Sequence, residues 1–67
     1  MSEIPIAPVK RIMKATNNNR VSDDAARYLS EFLEEEGFRI AAKASKLASH
    51  AGRQTISVAD VKLALND

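Results

Sequence analysis

Residues 22–51 contain no proline and a single glycine, Gly37, and their apolar side chains recur at helical gaps of 3, 4 and 7. Leu29, Phe32, Leu33, Ile40, Ala44, Leu47, Ala48 and Ala51 therefore share one stripe of a single long helix. A helix of about 30 residues is roughly 45 Å long. That exceeds the diameter expected of a compact chain this small. The flanking segments are too short to cover both ends of such a rod. The stripe needs a second chain, and the functional reading starts from that pairing.

Sixty-seven residues make one small domain. Chains near this size bury only about 60% of their unfolded surface and are marginal alone. The chain has no cysteine, so neither a disulfide nor a thiolate metal site stabilises it. His50 is its one histidine, which argues against a histidine-based metal site and leaves no cofactor to expect. Oligomerisation is the remaining route to stability. No apolar run approaches the length of a membrane span. The start, Met1-Ser2-Glu3, lacks a basic segment followed by an apolar core. The expectation is a soluble, cytoplasmic protein without a membrane partner.

Net charge is +1, but its distribution is uneven. From Ile4 to Ser22 there are four basic residues (Lys10, Arg11, Lys14, Arg20) and no acid. From Asp23 to Glu36 there are six acids against Arg27. From Gly37 to Ala59 there are four basic residues (Arg39, Lys43, Lys46, Arg53) and again no acid. Any one block reads as a solvated face. Two acid-free basic blocks flanking an acidic one point to an anionic partner.

The chain opens with Pro5 and Pro8, both compatible with the first turn of a helix. A short helix from about residue 5 to 15 follows. Ile6, Val9, Ile12 and Met13 form its apolar side, and Lys10, Arg11 and Lys14 its basic side. Thr16 and the three asparagines 17–19 end it. Arg20-Val21 is a short extended piece. Ser22 is a good N-cap, with Asp23 and Asp24 favoured by the dipole of the long helix, about residues 22–51. Within it, Glu36 falls near the apolar stripe, at helical spacing from Arg39 and Lys43. Gly37 marks either the close approach of a crossing helix or a tolerated surface position. The pattern gives no role to Phe38. Gly52 suits a C-terminal cap, Arg53 to Ile56 form a second loop, and Ser57 with Asp60 form a capping box for a last helix, about residues 57–66. Val58, Val61, Leu63, Ala64 and Leu65 carry that helix.

IPIAPVKRIMK, RVSDDAARYL, LEEEG and KLASHAGRQTISVADVKLAL together resemble an archaeal-type histone, over Ile4 to Leu65. The resemblance implies an all-α histone fold of short, long and short helices, with no tail. Two chains clasp head to tail with the long helices crossed, and Leu29, Phe32, Leu33, Ile40 and Ala44 lie in the dimer core. It also implies wrapping of double-stranded DNA by a chromosome-associated protein, largely without sequence preference. A homodimer is expected, with a paralogue as a possible alternative partner and with tetramers or longer assemblies on DNA.

By position in the family pattern, Arg20 resembles the arginine that enters the minor groove. Arg11 and Lys14 match the basic positions of the first helix. Ser22, Gln54 and Thr55 complete the implied DNA-binding set, loops one and two of opposite subunits lying side by side. Arg53 and Asp60 look like an intrachain salt bridge. Leu47, His50 and Asp60 match the positions through which dimers meet, although a lone histidine at a helix edge is usually incidental. General physics agrees: loop N–H groups and helix N-termini hold phosphates, and arginine suits a narrow minor groove.

Two positions depart from the family pattern. Gln54 stands where the family usually has lysine, and Asn17 where it usually has glycine near the packing of successive dimers. An alternative reading is a histone-fold subunit serving protein–protein interaction in a transcription complex, which need not keep loop arginines such as Arg20 and Arg53. An enzyme is not expected: the chain has no nucleophile–base arrangement and no glycine-rich phosphate loop.

Overall fold

The computed structural model describes residues 3–16 and 20–66. Three helices follow one another: α1 (Ile6–Lys14), α2 (Asp23–His50) and α3 (Val58–Leu65), with no strand among the described residues. The chain divides into two compact units, residues 1–35 and 36–67, and α2 contributes to both.

In the first unit, Pro5 precedes α1 in extended conformation, and no side chain caps the helix. Pro8 sits in the first turn, where a missing N–H costs nothing. At the other end, Thr16 Oγ1 donates to the Met13 carbonyl at 2.7 Å. The three asparagines expected to end this helix lie outside the described residues, as does the question of Asn17. Ser22 opens α2: its Oγ accepts the Ala25 N–H at 3.0 Å, and its carbonyl accepts the Ala26 N–H. Val9, Ala26 and Ser30 are buried. Ile12, expected on the apolar side of α1, is 62% exposed.

In the second unit, α2 ends in a Schellman motif. The Arg53 N–H reaches the Ala48 carbonyl and the Gly52 N–H that of Ser49, both at 2.9 Å. Gly52 adopts φ +76°, a left-handed conformation that a Cβ would strain. Ser57 caps α3 through a reciprocal box with Asp60. Ala44, Ala48 and Ala64 are buried, together with Asp60.

Among the described residues the buried apolar set is Val9 and four alanines. Full burial of one large aliphatic or aromatic side chain contributes about 1.5–3 kcal/mol, and this chain completes almost none. Leu29, Ile40 and Leu47 are half-buried. Phe32, Leu33, Val58, Val61, Leu63 and Leu65 are exposed. Tyr28 and Phe38 are also exposed, and within this chain Phe38 remains without a packing role. A Cβ at Gly37 would meet nothing within 4 Å, so no close approach occurs there inside the chain.

Candidate nucleic-acid interface

The first unit brings four of the sequence-derived candidates into two neighbourhoods. Arg11 and Lys14 lie in the last turn of α1, where cations also complement the helix dipole. With Ala7 and Lys10 they line one shallow depression. Arg20 and Ser22 line a second, together with Met13, Thr16, Val21 and Ala25. The Ser22 oxygen is occupied as an acceptor by its capping bond, which leaves its hydroxyl proton for an outside acceptor.

Ion pairing sorts the basic side chains. Lys10 Nζ lies 2.8 Å from Asp23 Oδ1, Arg27 Nη1 lies 3.4 Å from Asp24 Oδ1, and Arg39 Nη2 lies 2.8 Å from Glu36 Oε1. Of the two partners open to Glu36, this is the closer along the helix. The hydrogen bond from Arg39 holds the Glu36 carboxyl below its ordinary value. Arg53 is taken by Asp60. Arg11, Lys14 and Arg20 are exposed and form no ion pair among the described residues.

The second unit holds Gln54 and Thr55, both exposed in the loop between α2 and α3. That loop is tied down by one arginine. Arg53 Nη1 donates to Asp60 Oδ2 at 2.8 Å and to the Thr55 carbonyl at 3.1 Å, and Nη2 donates to Asp60 Oδ1 at 2.9 Å. Asp60 Oδ2 also accepts the Ser57 N–H at 2.8 Å. The fork of Arg53, then the Ser57 N–H, hold the Asp60 carboxyl well below the usual carboxylate range despite its burial. Asp60 thus serves as salt-bridge partner and helix cap at once. His50 is exposed at the end of α2 and Leu47 is half-buried one turn earlier.

Sequence reasoning missed two features. The Lys10–Asp23 pair joins residues 13 apart across a loop, so no helical spacing announces it. The bond from Arg53 to the Thr55 carbonyl reaches a backbone atom, which side-chain pattern does not mark. Among the described residues no group of three or more metal-binding side chains comes together, and no helix is long and apolar enough to cross a membrane.

Residues 2–65 match the family described as histone-like transcription factor (CBF/NF-Y) and archaeal histone. This chain belongs to that family. Two relatives align along almost their whole length. One of the subunits of archaeal histone HAN1 from Thermococcus zilligii is 46% identical over 65 residues, 97% of each chain. Probable archaeal histone 3 of Methanocaldococcus jannaschii is 49% identical over 65 residues, again 97% of each chain. The histone resemblance read from RVSDDA and HAGRQT is therefore shown, and the three helices are those of an all-α histone fold. In histone-fold terms, the free cations of the first unit occupy α1 and loop one, and Gln54 and Thr55 occupy loop two.

Proposed function

We propose that this chain binds and wraps double-stranded DNA, largely without sequence specificity, as histone dimers that assemble further on DNA at the chromosome. The observation that carries the reading is the grouping of unpaired cations on α1 and loop one: Arg11, Lys14 and Arg20 are exposed and unpaired among the described residues, while Lys10, Arg27, Arg39 and Arg53 are held by carboxylates; Lys46 and Lys62 are also exposed and unpaired but lie on α2 and α3 of the second unit. Both relatives are named as archaeal histones. Phosphate contacts of this kind position a protein without reading sequence. Minor-groove arginines spaced by about 10 base pairs wrap DNA by its bendability.

Dimerisation is supported by the thin core: Phe32 and Leu33 on α2 and Val58, Leu63 and Leu65 on α3 need a second chain to cover them. In such a dimer Arg20 of one chain works beside Thr55 of the other. The partner is a second copy or a paralogue. Leu47, His50 and Asp60 form the contact between dimers; among the described residues Asp60 Oδ1 accepts only from Arg53, so it retains acceptor capacity for His50 of a neighbour. The family also contains transcription factors, and the unpaired arginines favour DNA over a role confined to protein contacts. The family's structural role gives no reason to expect an enzyme.

The test is the salt dependence of affinity for duplex DNA. Three cations per chain, doubled by symmetry, predict a slope of log K against log salt of about −5, at roughly 0.9 per phosphate. Arg20→Ala weakens binding on all sequences and flattens that slope by about 2. A salt-independent affinity, or no loss with Arg20→Ala, rejects DNA wrapping in favour of protein recognition.

A further inference from the structure

Arg20 stands three and four residues before two carboxylates, Asp23 and Asp24, in the first turn of α2. A cation so placed is ordinarily drawn to them, and two anions at that helix end repel phosphate. Among the described residues Arg20 pairs with neither carboxylate. Asp24 takes Arg27 from its own helix at 3.4 Å. Asp23 takes Lys10, which reaches across from α1 to 2.8 Å. The Lys10 side chain is 30% exposed against 71% for Asp23, so its stem lies along the protein with only the ammonium presented to the carboxylate.

We propose that Lys10 is a positioning residue for DNA binding: by neutralising Asp23 it keeps Arg20 free for phosphate and removes a repulsive charge from the α2 N-terminus. This inference rests on the DNA-wrapping reading. Lys10 shares a depression with Arg11 and Lys14, so a direct phosphate contact is the competing role. Such a contact gains little. It exchanges one ion pair for another and leaves Asp23 uncompensated beside DNA. The hydrogen bond from Lys10 also holds the Asp23 carboxyl below its ordinary value.

The experiment measures dissociation constants of the full-length protein on a mixed-sequence duplex of about 60 base pairs, at low and moderate salt, room for two dimers at about three inward grooves each. Lys10→Met keeps the length of the side chain and removes its charge. It weakens binding at low salt by roughly two- to thirtyfold, the range of exposed charge interactions doubled by symmetry. Lys10→Met combined with Asp23→Asn restores wild-type affinity, and Lys10→Arg retains it. A double variant that stays weak with a flatter salt slope makes Lys10 a phosphate contact and overturns the proposal. Unchanged affinity in Lys10→Met overturns it as well. Asp23→Asn alone, which serves if Lys10→Met does not fold, binds at least as tightly as wild type; weaker binding overturns the proposal. Wild-type protein that does not bind the duplex rejects the DNA reading itself, and this inference with it.

Discussion

Asp60 accepts four hydrogen bonds, two from the Arg53 fork and two from Ser57, while its side chain is 3% exposed. Removing such an acceptor leaves the part-buried donors of Arg53 and Ser57 without it, and a donor left unmet costs more than the bond is worth when made. The carboxyl is held below its ordinary value of 3.8, so the folded chain binds that proton less readily than the unfolded chain. Its contribution is therefore complete above pH 3.8 and is lost as pH falls below it. Acid titration of thermal stability is expected to show a limb below that value, shallower in Asp60→Asn than in wild type. Ser57→Ala, which removes the hydroxyl half of the box, costs about 1 kcal/mol per chain. Gln54 gives the residue-scale test on the DNA side. It is exposed on a loop whose backbone is fixed through the Thr55 carbonyl, so a cation there is presented without reorganisation. Gln54→Lys should tighten DNA binding and steepen the salt slope by about 2 per dimer. An unchanged slope removes loop two from the phosphate contacts.

At the scale of elements, three helix ends are marked in the sequence by local chemistry. Ser22 and Ser57 cap the starts of α2 and α3, and Gly52 turns the chain out of α2 in a left-handed conformation. These signals act within five residues and do not depend on packing. What joins elements was less legible. The Lys10–Asp23 pair depends on how α1 folds back on α2, and periodicity assigned Lys10 simply to a basic face. The apolar side of α1 was read as one surface, yet Val9 is buried and Ile12 exposed, a division set by tertiary contact. The free cations of the candidate site, Arg11, Lys14 and Arg20, were legible as charges; that they are unpaired was visible only once their neighbours' partners were placed. Gly37 belongs to this scale too. A glycine inside a helix costs about 1 kcal/mol relative to alanine, and a Cβ there meets nothing within 4 Å. Gly37→Ala should stabilise each chain by about 0.4–1 kcal/mol in thermal or urea unfolding. A loss of stability instead puts a partner's backbone against that face.

For the whole molecule, the question is how 67 residues hold a fold with so few of their large apolar side chains covered. Among the described residues the single chain buries one valine and four alanines of its apolar residues. Against this stands backbone entropy of about 1–2 kcal/mol for each ordered residue. Polar contacts do not close the gap: the Lys10–Asp23, Arg27–Asp24 and Arg39–Glu36 pairs are substantially exposed, and solvent screens such pairs. The side chains able to supply the missing energy are Ile12, Phe32, Leu33, Val58, Leu63 and Leu65, and all await a surface. A second chain offers one of matching chemistry, and folding then becomes inseparable from association. Unfolding should accordingly be a two-chain transition, with a midpoint that falls as protein is diluted. Thermal unfolding followed across a hundredfold range of concentration, with sedimentation at both ends, measures this directly. The expected result is a dimer mass wherever helical signal persists and a steady fall in midpoint with dilution. A helical monomer whose midpoint ignores concentration would require a larger core than the described residues form, and would remove the pairing on which the placement of Arg20 beside the partner's Thr55 depends.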